Sequence, residues 1–308
     1  MKETFGLLVP CFNAAKFIPA FISNISNQAK QFDEVIFYDD ASTDNTVEIL
    51  ESYNQRVIKG ATNSGPSTAR NKLAEVTTTT WFHFHDIDDF LDDNYLKRVS
   101  AFIDDCDVVL CNVDWYDSSR KNILLSWKYS NNQISKDPLS YTLSNPIGGI
   151  NGLYKKLFFQ LLGGFNENVR LWEDADLHVR LAASNARFIV IEEVLSISIR
   201  SLTSLSCDQI KACQTRYALL RGYYYNPSFK EVHKTIGREA QKIASALIMY
   251  NDIRTAKLAL KLSERCGVKV PDSKNFFWSV FKLALPASLR IFIRLIQLRL
   301  AFKSHLQA

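Results

Sequence analysis

Trp81-Phe82-His83-Phe84-His85-Asp86-Ile87-Asp88-Asp89 is an aromatic run long enough for one buried strand, and it ends in three acids within four residues. Ionised carboxylates are costly to bury unpaired, so the cluster belongs at the open end of a strand, facing solvent or a cation. A hard divalent ion such as Mg²⁺ or Mn²⁺ takes oxygen ligands, typically one or two carboxylates plus substrate phosphates. The competing reading is a polar loop that caps the next helix, helped by Asp92, Asp93 and Asn94. These nine residues do not separate the two readings; the flanking sequence does. His83 and His85 alternate onto the strand face opposite Phe82, Phe84 and Asp86, and read as packing or supporting residues rather than ligands.

Upstream, Phe5 to Val9 is a continuous apolar run stopped by Pro10, the pattern of a parallel strand buried on both faces. Asn13 is placed to cap a helix carrying Phe17, Ile18, Phe21, Ile22 and Ile25 on one face. A second strand, Val35 to Tyr38, ends in Asp39-Asp40-Ala41-Ser42-Thr43-Asp44, where Ser42, Thr43 and Asp44 can cap a helix bearing Val47, Leu50 and Tyr53. Val57-Ile58 makes a third short strand, and Asn63-Ser64-Gly65-Pro66-Ser67 turns into a helix bearing Arg70. Beyond the opening stretch, a helix near Tyr95 to Ile103 and a strand at Val108 to Val113 continue the alternation. The pattern is βαβαβαβ, an α/β fold with a doubly wound, mostly parallel sheet flanked by helices. Ligands of such sheets bind outside the carboxyl ends of the strands. Three strands here end in chemistry on that edge: Pro10-Cys11-Phe12-Asn13, Asp39-Asp40 and Asp86-Ile87-Asp88-Asp89. The glycine-rich loops of dinucleotide and P-loop folds are absent, which leaves a carboxylate-bound metal as the expected partner of phosphates.

The chain has 308 residues, 47% hydrophobic and 22% charged, enough for one large α/β domain and an appendage. Its six cysteines show neither C-x-x-C nor zinc spacing, and Met1-Lys2-Glu3-Thr4 does not resemble a signal peptide. Reduced thiols and a cytoplasmic location are the expectation, with no run long enough for a spanning helix. The net charge of +5 is unevenly spread. Residues 1–206 hold 19 Lys and Arg against 26 Asp and Glu, a net −7; residues 207–308 hold 18 against 6, a net +12. A boundary is placed there, between the α/β domain at 1–206 and a helical, basic region at 207–308.

Five motifs in order carry a resemblance: Val9-Pro10-Cys11-Phe12-Asn13, the Asp39–Asp44 block, Asn63-Ser64-Gly65-Pro66-Ser67-Thr68-Ala69-Arg70-Asn71, Asp86-Ile87-Asp88-Asp89, and Gly163-Gly164-Phe165-Asn166-Glu167 followed by Trp172-Glu173-Asp174-Ala175-Asp176-Leu177. Over residues 4 to 206 the chain resembles the inverting glycosyltransferases of family 2, which have the GT-A fold. The resemblance implies a donor site of Pro10, Asn13, Asp40, Arg70, Asp86, Asp88 and Asp89. Asp40 would meet the nucleobase, favouring uridine, and Arg70 the base or diphosphate. It assigns Asp86 and Asp88 to Mn²⁺ or Mg²⁺ and the diphosphate, with Asp89 in support. Glu173-Asp174 is the pair that supplies the catalytic base, and Asp174 is chosen; capping the helix from Ala175 to Ala183 is its alternative role. The implied activity is transfer of a sugar from a nucleoside-diphosphate donor, UDP-linked, to a hydroxyl on a glycan or lipid-linked acceptor. The setting would be bacterial surface polysaccharide or glycan assembly. A binding scaffold without turnover and a sugar-phosphate nucleotidyltransferase are the alternatives.

One departure stands out: where many members have a further His after the last strand, this chain has Leu202. His178 is a weaker substitute, inside a helix. The aromatics Trp115, Tyr116, Trp127, Tyr129 and Tyr141 fit an acceptor site or a satellite core equally. Gly148-Gly149-Ile150-Asn151-Gly152 lets the backbone approach a ligand or a neighbouring strand. After residue 206 the periodicity is helical, with a hairpin expected to turn at Asn251-Asp252. Residues 276–304 are aliphatic with basic punctuation, and no acid follows Asp272. That composition suits an anionic membrane surface better than nucleic acid. The other reading is a helix packed on its own domain or on a second copy in a homo-oligomer. Around 287–304, Arg290, Arg294 and Gln297 project on one side, with Leu289, Phe292, Ile293, Ile296 and Leu300 opposite.

Overall fold

The computed structural model describes residues 2–200, 208–269 and 285–306, of which 298–306 as helical backbone alone. Leu202 and the stretch 276–284 therefore lie outside the described residues. The chain divides into two compact units, Met1–Ser204 and Leu205–Ala308.

The first unit alternates as the hydrophobic runs dictate: β1 (Phe5–Cys11), α1 (Ile18–Ser26), β2 (Glu34–Asp39), α2 (Thr46–Ser52), β3 (Arg56–Lys59), α3 (Pro66–Val76) and β4 (Trp81–Phe84). Then follow β5 (Phe90–Leu91), α4 (Tyr95–Val99), β6 (Val108–Tyr116), β7 (Ile123–Trp127), α5 (Asn131–Lys136), α6 (Pro138–Ser144), β8 (Gly152–Lys155), α7 (Lys156–Leu161), α8 (Glu173–Ala183) and β9 (Phe188–Ile199). The sheet order is β3-β2-β1-β4-β8-β6-β9-β5, with β7 hairpinned onto β6. β1 is parallel to both β2 and β4, as β2 is to β3. The runs in β1 and β4 are continuous because both sheet faces are covered. Leu8, Phe82 and Phe84 pack into one core, while Leu7, Val9 and Trp81 pack into the other.

Past β4 the alternation does not continue as a simple parallel series. β8 is inserted antiparallel between β4 and β6, and β6 then pairs with β9 in parallel. Sequence reading recognised in Gly148 to Gly152 a place of close approach, but not the four-residue strand that begins there. Leu153 and Tyr154 are buried on opposite faces of it, in the two separate cores. Helix α1 begins at Ile18 with Pro19 in its first turn and receives no side-chain cap, so Asn13 does not start it.

The second unit is helical: α9 (Gln209–Tyr225), α10 (His233–Met249), α11 (Ile253–Arg265) and α12 (Ala287–Leu306). α10 and α11 form a hairpin that turns on Asn251, at φ 63°, with the Asp252 carboxylate accepting the Thr255 N–H at 3.0 Å. Among the described residues, no helix is long and apolar enough to cross a membrane.

Candidate active site

β1, β2 and β4 end on one edge because they are parallel neighbours in register: Cys11 lies opposite Asp39, and Leu8 opposite Phe84. The loops leaving that edge are tied to one another. Asn13 sits at φ 49°; its amide donates to Ser42 Oγ at 2.8 Å and its Oδ1 accepts from the Thr43 N–H at 2.8 Å. Asn13 thus joins the ends of β1 and β2 instead of capping α1, with the half-buried Pro10 opposite Tyr38 just behind it. Asp40 is buried, and its two oxygens accept from the backbone N–H groups of Ser64 (2.9 Å) and Gly65 (2.7 Å). The residue expected to meet a nucleobase is therefore first an anchor for the loop that leads into α3.

At the end of β4 the three acids have three fates. Asp86 is partly exposed and accepts from Arg70 Nη2 at 2.7 Å. Asp88 is pushed up to about 6 by burial and then by the charge of Asp86, with its own backbone N–H pulling it back. Asp89 turns inward: it accepts from the Ile199 N–H at 2.7 Å and from the Ser198 hydroxyl at 3.1 Å, and burial raises it well above the carboxylate range. Both oxygens of Asp89 thus bond to β9 and hold the turn in place; the resemblance puts it in support of the donor site.

Arg70, expected beside base or diphosphate, is ion-paired to Asp86 and Glu173. It is 5% exposed, with Nη1 donating to Glu173 Oε1 at 3.2 Å and Nη2 to Asp86, above the Phe165 ring at 5.5 Å. Burial alone would lower its pKa, but Asp86 and Glu173 together hold it above the ordinary guanidinium value. The motif carrying Phe165 is docked onto α3. Asn71 Oδ1 accepts the Phe165 N–H at 2.8 Å, and Asn71 Nδ2 donates to Glu167 Oε1 at 2.9 Å. A Cβ on Gly164 would come within 2.5 Å of Asn71 Oδ1, and its φ of 69° is left-handed, so both space and backbone require glycine.

Helix α8 opens with Glu173, Asp174 and Asp176 in its first turn, where the positive end of the helix dipole favours them. The preceding Trp172 is left-handed, at φ 67°. Asp174 Oδ1 accepts from the Ala175 N–H at 2.7 Å and Oδ2 from the Gly149 N–H at 3.1 Å. Burial raises Asp174, while the two N–H groups and Arg70 pull it back. Glu173 is pushed up to about 7, by burial and then by the charge of Asp174.

Three histidines are accounted for without a ligand. His178 Nδ1 lies 2.7 Å from the Asp174 carbonyl, an acceptor only, so Nδ1 carries the proton and Nε2 accepts from Tyr154 O–H at 3.0 Å. That uses its lone pair and removes it as a metal ligand. His83 lies between the Gly152 carbonyl (2.8 Å) and His85 (3.1 Å), and both rings are fully buried, the packing role expected.

Among the described residues no three His, Cys, Asp or Glu converge on a metal position. Asp86 and Asp88 do fit a hard divalent ion: they are oxygen donors whose mutual repulsion already shows in the raised Asp88. The remaining ligands would come from diphosphate and water.

Sequence reading missed what surrounds Asp174. A Cβ on Gly148 would lie 2.9 Å from the Trp127 ring and 3.6 Å from Asp174 Oδ2, so Trp127 and the carboxylate meet across this glycine. Trp127 in turn contacts Trp115, with centroids 5.0 Å apart. Tyr129 and Tyr141 went to the core instead. The glycine pair was the available signal; its partners are more than twenty residues away on either side.

Comparison with known proteins agrees with this geometry. The profile described as Glycosyl transferase family 2 matches residues 7–162, which contain Asp40, Arg70, Asp86 and Asp88 and stop short of α8. The poly(ribitol-phosphate) beta-N-acetylglucosaminyltransferase TarS of Staphylococcus aureus is 36% identical over 108 residues, 33% of this chain and 19% of TarS. The chain thus covers about a fifth of that relative's length. The crystal structure of S. aureus TarS 1-349 with UDP-GlcNAc superposes with a TM-score of 0.60 at 17% identity, covering 98% of this chain and 92% of the other. The mannosyltransferase PcManGT of Pyrobaculum calidifontis, solved with GDP-Man and Mn²⁺, gives 0.62 at 19% identity, covering 99% and 87%. The fold is that of the GT-A glycosyltransferases, and with half its length matched by the profile the chain belongs to glycosyl transferase family 2.

Proposed function

We propose that the chain transfers a sugar, with inversion, from a nucleoside-diphosphate donor to a hydroxyl acceptor. The observation that carries this is one ion-paired row at the strand ends, Asp86–Arg70–Glu173, with Asp174 beside it, held by the N–H groups of Ala175 and Gly149. Inversion needs a single in-line attack, so one carboxylate must take the acceptor proton. Hydrolases instead flank the anomeric carbon with two working carboxylates. Asp174 fills that role: two backbone N–H groups hold its carboxylate, each oxygen keeps a lone pair beyond the bond it accepts, and Glu173 keeps its proton to about pH 7. Arg70 holds Glu173 and Asp86 in place between the two functional clusters. A divalent ion on Asp86 and Asp88 would act as a Lewis acid on the charge that grows on the diphosphate.

A uridine donor is supported by the TarS neighbour, whose structure holds UDP-GlcNAc. A surface-polymer acceptor is supported by the relative's name, which specifies poly(ribitol-phosphate). Trp127, at the edge of Asp174, offers an apolar face to an acceptor sugar or polyol. Asp40 shapes the base's seat through the loop it anchors. The test is nucleoside diphosphate release from a panel of nucleotide-sugars with Mn²⁺ and a polyol-phosphate acceptor. Release with UDP-sugars supports the reading. Binding without release would leave a donor-binding scaffold, and pyrophosphate release would indicate nucleotidyl transfer.

A further inference from the structure

Helix α12 buries Ile291 and Leu295 and still leaves an apolar stripe on its outer side. Its Arg290 is buried too, at 8% exposure, forked onto Glu264 of α11 with Nε–Oε1 at 3.1 Å and Nη2–Oε2 at 2.5 Å, and it also donates to the Leu285 carbonyl. Three apolar residues face out: Leu289 is 42% exposed, Phe292 58% and Ile296 42%. Positions 289, 292 and 296 are spaced three and four apart, so they form one stripe. Amphipathic helices of a globular unit leave their charged side in solvent. On α11, Leu258 is also exposed, at 40%. Lys257 and Lys261 line, with Phe292, a groove of about 300 Å³ between the two helices.

We infer that the outer face of α11 and α12 is a docking surface for an anionic lipid bilayer. Two exposed lysines flanking an apolar stripe match an interface of acyl chains beneath anionic headgroups, since a lysine stem lies along apolar surface while its ammonium reaches the phosphates. The unit bearing the stripe has a net charge of +12 over residues 207–308. The sole carboxylate on α11 and α12, Glu264, is already engaged by Arg290. A second copy of the same face would bring lysines against lysines, and an acidic protein partner would leave the aromatic and aliphatic stripe unanswered. The helix is too polar to span, so contact is at the surface.

The full chain should cosediment with phosphatidylglycerol vesicles at low salt, weakly with phosphatidylcholine, and less as salt rises. Phe292→Glu should lower the partition coefficient about tenfold or more, the order expected when one phenyl ring fails to bury. Lys257→Glu with Lys261→Glu should abolish the preference for anionic vesicles. In a Phe292→Trp variant, brominated lipid should quench the new emission component. Nucleotide affinity, measured alongside, reports that each variant is folded. The inference is overturned if the wild type stays in the supernatant, if Phe292→Glu pellets like wild type, or if neutral and anionic vesicles bind equally. It is overturned in favour of a second copy if the chain is dimeric by light scattering and Phe292→Glu makes it monomeric.

Discussion

Glu173 and Asp174 are adjacent and both half-buried, and their surroundings differ. Asp174 has two backbone N–H groups; Glu173 has one guanidinium nitrogen and a charged neighbour. Asp174→Asn should therefore keep donor binding and lower kcat by about 10²–10⁴, whereas Glu173→Gln, which mimics the protonated form, should retain most activity and leave the acidic limb of the kcat/KM profile in place. A limb that vanished with Glu173→Gln would move the base to Glu173. Asp88 is the acid with least support from the protein, so Asp88→Ala should leave UDP affinity nearly the same in EDTA and in Mn²⁺, as calorimetry can measure. The wild type should bind more tightly with the ion. At this scale the sequence was most informative for acids at strand ends, because burial makes a carboxylate conspicuous. It was least informative for Arg70 and Asp40, since a side chain's partner depends on which loops fold back, and those are distant in the chain.

The turn Asp86–Asp89 is held at both ends, by Arg70 from α3 and by β9 through Asp89. Since Asp89 is raised well above its ordinary range, an amide can stand in for it: Asn accepts from the Ile199 N–H and donates to the Ser198 hydroxyl. Asp89→Asn should be close to wild type in Tm and donor affinity. Asp89→Leu leaves the buried Ile199 and Ser198 donors without an acceptor and should cost on the order of 1–3 kcal/mol by denaturant unfolding, with weaker donor binding. Equal stability of the two variants would show the tether is not needed. The strands β1, β2 and β4 were readable because a strand buried on both faces is a continuous apolar run. β8 was not, since four residues opening on a glycine carry no period, and its place between β4 and β6 is decided by pairing.

Across the molecule, raised carboxyls set a pH dependence, Glu173 and Asp88 among them. Glu173 at about 7 and Asp88 at about 6 bind protons more tightly folded than unfolded. Their contribution is fully present below the unfolded values near 4 and is lost as pH rises through the folded ones. Relative to wild type in EDTA, a Glu173→Gln, Asp88→Asn double variant should thus gain stability from pH 5 to pH 8, by on the order of 2 kcal/mol after solvent screening. A gap in Tm that stays constant with pH would refute it. The charge asymmetry between the two units was plain in composition, but the orientation of α12 was not: its projection shows two sides, and the Arg290–Glu264 pair, with Ile291 and Leu295 buried beside it, says which faces in. The antiparallel insertion of β8 also sets a schedule for synthesis. β4 acquires its second neighbour only when Gly152–Lys155 has been made, about 70 residues after Phe84, which at ribosomal rates is about 4–14 s. For that interval one edge of an aromatic strand is bare beside a nascent chain, and bare strand edges recruit other chains. Ribosome-arrested chains ending near residue 140 should bind chaperones or pellet, and those ending past 200 should not; equal recovery of both would show that β4 is shielded by other means. Slow codons placed between 85 and 150 would then lower the yield of a protein whose finished form they leave unchanged.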